Sequence, residues 1–126
     1  MPDERPMKKT ASNGCYKVRG HIWIDGNEGT FLGAGRVALL ESIRETGSIT
    51  RAAKKLGMSY RKAWELVESM NGQSIEPIVK ASTGGKGGGG ALLTKAGERA
   101  IEAFRLIDEA FGRFREREAE KFLRSR

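Results

Sequence analysis

The chain is poor in the residues on which many site chemistries depend, with one cysteine and one histidine among its 126 residues. Cys15 has no partner in the chain, which excludes an internal disulfide and fits a reducing cytosol. His21 belongs to no cluster with metal-ligand spacing, so the sequence predicts no metal site. Since neither a cysteine–histidine pair nor a carboxylate cluster away from helical surfaces is present, we expect neither an enzyme nor a cofactor.

Long apolar runs are also missing. No stretch approaches the roughly 20 residues that a membrane helix needs, and the first ten residues lack the apolar core of a secretory signal. Residues 1–15 contain prolines and small polar residues without periodicity, which predicts a flexible tail. We therefore expect a cytoplasmic protein with no membrane partner and one folded domain over residues 16–126.

Positive charge is present in excess and is concentrated in the middle of the chain. The net charge is +7, and residues 48–95 hold eight lysines and arginines against three acids. A basic segment inside a folded domain is typical of a surface that binds a polyanion. Charge alone does not separate this interpretation from a merely solvated surface.

Hydrophobic periodicity predicts an α+β, mainly α fold. Alternating apolar residues predict an N-terminal β-hairpin from about Tyr16 to Leu32. Capping residues and glycines then divide the next segment into three helices, and two short strand-like runs, "PIVKAS" and "ALLT", flank a glycine-rich stretch. The helices are expected from Gly35 to Gly47, from Ser48 to Leu56, from Ser59 to before Asn71, and from Thr94 over residues 95–123.

The segment "ITRAAKKLGMSYRKAWELVE", residues 49–68, has the pattern of a helix-turn-helix. Ala52 and Ala53 allow two helices to approach closely, and Gly57 tolerates the positive φ of the turn. Ala63 and Leu66 supply apolar anchors on the second helix. A generic helical hairpin is the alternative.

In a helix-turn-helix the second helix enters the major groove by its first turn. That turn holds Ser59, Tyr60, Arg61 and Lys62, of which Arg61 suits a guanine edge and Lys62 a base or a phosphate. The first helix offers Ser48, Thr50 and Arg51 for backbone contacts. Trp64 is assigned to the core, whereas Tyr60 suits either role.

The stretch "TGGKGGGG", residues 83–90, has three interpretations: a nucleotide-binding loop, a linker or a hairpin tip. It fails the P-loop pattern because Lys86 is followed by glycine. Its dinucleotide-type spacing lacks the following βαβ unit. A hairpin tip after a helix-turn-helix is the wing of a winged helix, and Thr83, the glycine amides and Lys86 would then contact phosphates.

The last predicted helix carries an apolar seam. Ala100, Phe104, Ile107, Phe111 and Phe114 follow one another at steps of four and three, the spacing of a coiled coil. Because such a seam would be uncovered on a monomer, we expect Phe104, Ile107, Phe111 and Phe114 to pair two protomers. The alternative is that this helix folds back on its own domain.

The blocks "GSITRAAKKLGMSYRKAWELVESMN" and "TGGKGGGGALLT" resemble the N-terminal DNA-binding domain of ModE-type molybdate-responsive transcription regulators, relatives of the LysR-type winged helix. The resemblance spans about residues 20–115. It implies a winged helix-turn-helix with a long C-terminal dimerisation helix, a homodimer on an inverted-repeat DNA site, and regulation of molybdate transport or molybdoenzyme genes. It also implies that residues 59–62 and 83–90 face DNA.

Full-length members of that family carry C-terminal domains that bind molybdate, and this sequence ends just after the long helix. It therefore resembles a stand-alone form, for which a separate sensor protein is an expected partner. The alternative function is a small oxyanion- or nucleotide-binding protein that uses the glycine-rich loop.

Overall fold

The computed structural model describes residues 16–82 and 90–125. The predicted tail over residues 1–15 and most of the predicted wing tip lie outside these ranges. The described elements follow the order of a winged helix, as predicted, with two small hairpins and mostly helical structure. They are β1 (Trp23–Gly26), β2 (Gly29–Gly33), α1 (Ala34–Thr46), α2 (Ile49–Lys55), α3 (Tyr60–Gln73), β3 (Val79–Ser82), β4 (Gly90–Leu93) and α4 (Lys95–Arg124).

The N-terminal hairpin is shorter than the alternation predicts. Strands β1 and β2 pair antiparallel around a tight turn, in which Gly29 has a φ of 107°. Residues 16–22 form no strand. Tyr16 instead packs edge-on against Phe122 of α4, with ring centroids 5.2 Å apart. Of the alternating residues, Tyr16 thus contacts α4, whereas Ile22 and Ile24 pack against the core.

Helix α1 is the centre of the core. Leu39, Leu40 and Ile43 are fully buried, and the helix packs against α2, β2, β4 and α4. The helix ends where predicted, because Gly47 adopts the left-handed conformation with a φ of 71° and its amide donates to the carbonyl of Ile43.

The wing is fixed at its base to the helices. Strands β3 and β4 pair antiparallel from Val79–Leu93 to Ser82–Gly90. The amide of Ala91 in β4 donates to the carbonyl of Gly47 at 2.9 Å. On the other side, the carboxamide of Asn71 in α3 accepts from the amides of Ile78 and Val79. Residue 71 is therefore not the helix stop that the sequence predicts, since α3 runs on to Gln73.

Helix α4 begins at the predicted cap, where the hydroxyl of Thr94 accepts from the amide of Gly97 at 3.0 Å. Its first turns pack on the core through Ile101 and Phe104. The prediction of Phe104 as an interface residue is wrong, because its side chain is only 4% exposed inside its own domain. The helix folds back on the domain at its start, as the alternative interpretation proposed, but not along its whole length.

Candidate nucleic-acid interface

Helices α2 and α3 are joined by a tight turn that brings them close together. Ala52, Ala53 and Ala63 are buried where the helices meet, and Gly57 has a φ of 68° in the turn. The amide of Met58 donates to the carbonyl of Ala53 at 3.0 Å, which closes the turn. The small residues and the left-handed glycine therefore occupy the positions that a helix-turn-helix requires.

Two serines fix where these helices begin. The hydroxyl of Ser48 accepts from the amide of Arg51 at 3.1 Å, and that of Ser59 accepts from the amide of Lys62 at 3.0 Å. Both are N-caps, which satisfy a backbone donor that the helix itself leaves free. Each hydroxyl keeps its own proton, so capping leaves a donor for a phosphate oxygen.

The first turn of α3 lies on the surface. Tyr60, Arg61 and Lys62 are all exposed, as a major-groove helix requires. Arg61 is not free of its own helix, however, because its Nε donates to Oε1 of Glu65 at 3.2 Å. The guanidinium has five N–H donors, so this ion pair orients the group and leaves its terminal nitrogens exposed.

Positive charge lies along α2, the start of α3 and the wing. Among the described residues, Arg51, Lys54, Lys62 and Lys80 are exposed without an ion pair to a carboxylate. An exposed cation without a carboxylate partner is available to neutralise a phosphate.

The remaining cation of α2 is paired. The ammonium group of Lys55 binds the carboxylate of Glu45, and this hydrogen bond and its charge lower the pKa of that carboxyl. At the back of α3, burial lowers the pKa of Arg36, whose guanidinium donates to Ser69 at 2.9 Å. Lys55 and Arg36 thus stabilise contacts between helices, whereas the cations without a carboxylate partner are available to bind another molecule.

A cleft separates α3 from the wing. It has a volume of about 410 Å³ and is lined by Thr50 of α2, Tyr60 and Trp64 of α3, and Lys80 and Gly90 of the wing. The assignment of Trp64 to the core is wrong, since its side chain is 46% exposed in this cleft. Trp64 follows the spacing of the buried residues Ala63 and Val67 on α3, but it lies at the edge of the apolar face and not at its centre.

The structure brings two of the predicted DNA-facing residues together in one cleft. Thr50 and Tyr60 line the cleft, and the caps Ser48 and Ser59 lie at the starts of the helices that flank it. Thr83 and Lys86 lie outside the described residues. Sequence reasoning missed Lys80, whose strand position beside the predicted wing was the available signal, and Asn71, which was interpreted as a helix stop.

Helix α4 carries an apolar stripe beyond the core. Ile107 and Phe114 are about half exposed, and Leu106 beside them is more exposed still. Phe111 is partly covered, because its ring lies next to Gly20 and under the guanidinium of Arg115, 5.3 Å from the centroid. Of the four predicted interface residues, Ile107 and Phe114 are therefore the ones accessible to a partner.

Other kinds of site find no support in the described part of the chain. Within residues 16–82 and 90–125, no group of three or more histidine, cysteine, aspartate or glutamate side chains is placed to hold a metal ion. None of the helices described is long and apolar enough to cross a bilayer.

Residues 35–98 match the family model described as "Bacterial regulatory helix-turn-helix protein, lysR family". This match covers half of the 126 residues and runs from α1 through the wing to the start of α4. The chain belongs to the lysR family of bacterial regulatory helix-turn-helix proteins.

Several curated relatives are similar to part of this chain. The chain is 51% identical over 80 residues to the molybdenum-pterin-binding protein MopB of Rhodobacter capsulatus, which covers 64% of this chain and 30% of that protein. It is 51% identical over 72 residues to the transcriptional regulator ModE of Yersinia pestis, covering 57% and 27%. Over 72 residues it is 46% identical to the DNA-binding transcriptional dual regulator ModE of Escherichia coli K12, covering 57% and 28%. The chain thus spans less than a third of the length of these relatives.

Proposed function

We propose that this lysR-family chain is a cytoplasmic, sequence-specific DNA-binding transcription regulator that controls genes of molybdate transport or molybdoenzymes. The observation that carries the proposal is the solvent-facing first turn of α3, which presents Arg61 and Lys62, together with the exposed cation Arg51 of α2, which has no carboxylate partner in the described part of the chain. The names of the relatives, which include transcriptional regulators ModE and a molybdenum-pterin-binding protein, support the choice of target genes.

The proposed contacts divide into two kinds. Arg61, and to a lesser extent Lys62, would read base edges in the major groove, because a guanidinium fits the two acceptors of guanine. Thr50, Arg51 and the two capping serines would hold phosphates and set the position of α3. On the wing, Thr83 and Lys86 would add contacts to the backbone of the same duplex, next to Lys80 at the base of the hairpin.

A homodimer on an inverted repeat completes the proposal. The exposed Ile107 and Phe114 of α4 support it. A second copy that covered these half-exposed apolar side chains would bury their surface, and this burial stabilises a dimer. A two-fold axis between the paired α4 helices would place two α3 helices on successive half-sites. A separate sensor protein would bring the molybdate signal to this chain.

Selection of binding sites from a random or genomic DNA library with the purified protein tests this function. We expect an enriched inverted repeat, whereas recovery of unrelated sequences would contradict sequence-specific binding. Binding to the selected duplex should weaken by roughly 10³ between 50 and 200 mM salt if about six phosphates are neutralised. A response that is flat over this range would contradict an electrostatic interface.

The glycine-rich loop supplies the competing outcome. If the chain were primarily an oxyanion- or nucleotide-binding protein, calorimetric titration with molybdate or ATP would release heat at micromolar protein. We expect little heat from either compound and saturable binding of the selected duplex.

A further inference from the structure

Two aromatic side chains on α3 are left exposed by the fold. Trp64 is 46% and Tyr60 is 53% exposed, although Ala63 and Met70 of the same helix are completely buried. Tryptophan and tyrosine are among the largest apolar surfaces a chain can bury, and half of this surface is not used within the domain. These positions are four apart on one helix, so the two side chains lie on the same face, and both line one cleft, in which they form an aromatic patch.

This patch is the floor of the cleft between α3 and the wing. The cleft is held open by hydrogen bonds at both ends: the Asn71 amide group donates to the carbonyl of Val79 at 3.0 Å, and the amide of Ala91 donates to Gly47. A ligand therefore meets a preformed site and does not have to order it.

The charges around the patch indicate which part of a duplex it faces. Glu68 is exposed on α3 and lines the cleft without a cationic partner among the described residues, whereas the neighbouring Glu65 is paired with Arg61. A carboxylate so placed repels phosphates, which favours base edges over the sugar–phosphate backbone opposite this face. Lys80, on the opposite wall, supplies a cation for the phosphates that flank such an edge.

The apolar group that a major groove offers is the 5-methyl group of thymine. We propose that Trp64, with Tyr60 beside it, reads thymine in the bound site through this methyl group. The inference rests on the proposed DNA-binding function and adds a specificity-determining residue to it. Deoxyribose is also apolar, but every nucleotide carries one, so a contact to sugar would not depend on sequence.

Replacement of single thymines by deoxyuridine tests the inference, because it removes the methyl group and leaves base pairing intact. The probe is the duplex selected by the purified full chain, with each thymine replaced in turn. For the unaltered protein we expect at least one position at which the affinity falls about fourfold, the equivalent of one buried methyl group. For Trp64→Ala the same replacement should change nothing, and its affinity for the selected duplex should already be lower by roughly tenfold.

Trp23→Ala is the matched control, since Trp23 is an exposed tryptophan on β1, away from the cleft. It should retain both the affinity and the deoxyuridine effect. Deoxyuridine effects that are equal in the unaltered protein and in Trp64→Ala would overturn the inference while leaving DNA binding intact. The inference would also be overturned if Trp64→Ala lost affinity for all duplexes by the same factor. Failure of the selection itself would overturn the proposed function, and the inference with it.

Fluorescence gives a second test in which Trp64 is left intact. The chain contains two tryptophans, so Trp23→Phe leaves Trp64 as the only one. Quenching of its emission by acrylamide should fall when the selected duplex is added and should change little with a scrambled duplex of equal length. Unchanged quenching at saturation with the selected duplex would show that nothing covers Trp64.

Discussion

The Nε of Arg61 donates to Oε1 of Glu65 one turn further along α3, at 3.2 Å. This pair positions the residue that we expect to read guanine, and because both groups are exposed it adds little to stability. The pair contributes by orienting the guanidinium group of Arg61. A guanidinium that is already held in place loses less conformational entropy on binding than a mobile one.

Replacement of Arg61 should therefore lower specificity more than affinity. We expect Arg61→Ala to reduce the ratio of affinities for selected and scrambled duplexes by roughly tenfold or more, as loss of one bidentate base contact would. Arg61→Lys keeps the charge but not the fork and should recover affinity for both duplexes without recovering the ratio. Fluorescence anisotropy at fixed salt measures these values. A variant that weakens both duplexes equally would show that Arg61 holds phosphate.

Lys86 is expected to behave in the opposite way. Because it is predicted to contact phosphate, Lys86→Ala should weaken the selected and scrambled duplexes by similar factors and reduce the salt slope by about one. The measurement is the same titration at several salt concentrations. Loss of affinity for the selected duplex alone would mean that the reading and holding roles of Arg61 and Lys86 are exchanged.

Asn71 ties the wing to α3 and should matter for stability. Asn71→Ala leaves the amides of Ile78 and Val79 without their acceptor, and burial of unsatisfied amides should lower the free energy of unfolding by roughly 2–4 kcal/mol. Asn71→Asp keeps the acceptor for both amides but sets a second oxygen against the Val79 carbonyl in place of the donor, and we expect it to lose less stability than Asn71→Ala. Urea unfolding followed by circular dichroism compares the two. Equal stability of Asn71→Ala and the unaltered chain would contradict this role.

The local signals in the sequence were sufficient for the helix-turn-helix. Capping serines and left-handed glycines act within a few residues, so Ser48, Gly57 and Ser59 predict helix ends that the structure confirms. Asn71 and Trp64 were misassigned for a different reason. Asparagine is typical of helix ends, but here its side chain satisfies amides seven and eight residues further along the chain. Which edge of an apolar face remains open depends on where β3 packs, and periodicity does not contain that information.

Phe104 illustrates the same limit on α4. A seam of uniform spacing gives no sign of where the core ends, and the structure divides it between Phe104 inside the domain and Ile107 and Phe114 outside. The consequence for the proposed dimer is testable. Phe114→Glu should shift the sedimentation coefficient at micromolar concentration from dimer to monomer, because it places a charge in the interface.

The controls for this experiment separate assembly from folding. Ile75→Glu alters a fully exposed residue outside α4 and should leave the dimer unchanged. Phe104→Ala should instead lower the free energy of unfolding by about 3–5 kcal/mol, as expected for an emptied core position. If the unaltered chain sediments as a monomer, α4 does not pair two copies under these conditions.

The ion pair of Glu45 and Lys55 predicts a dependence of stability on pH. Lys55 lowers the pKa of the Glu45 carboxyl in the folded chain below its ordinary value of 4.5. The unfolded chain then binds this proton more readily, so the contribution is present above about pH 4.5 and is lost as pH falls through the folded pKa. Glu45→Gln should make the urea midpoint fall less steeply between pH 5 and pH 3. An unchanged slope would mean that the exposed pair is fully screened.

Among the described glycines, Gly97 is one at which the backbone of a neighbouring strand leaves no room for a side chain. It lies in the first turn of α4, and an added Cβ would come within 2.6 Å of the carbonyl oxygen of Ile78 and closer still to the side chain of Leu93. The backbone of β3 cannot move away without disturbing its pairing with β4, so we expect Gly97→Ala to lower the free energy of unfolding by roughly 1–3 kcal/mol.

The matched control is Gly35→Ala in the first turn of α1, where an added Cβ would meet nothing within 4 Å. Alanine restricts the unfolded chain and favours the helix, so this variant should be more stable by up to about 1 kcal/mol. Urea denaturation of both variants gives the comparison. A stabilising effect of Gly97→Ala would contradict the close packing of α4 on the wing strands. It would mean that α4 lies farther from the carbonyl of Ile78 than the structure shows, so that the start of α4 would not support the base of the wing.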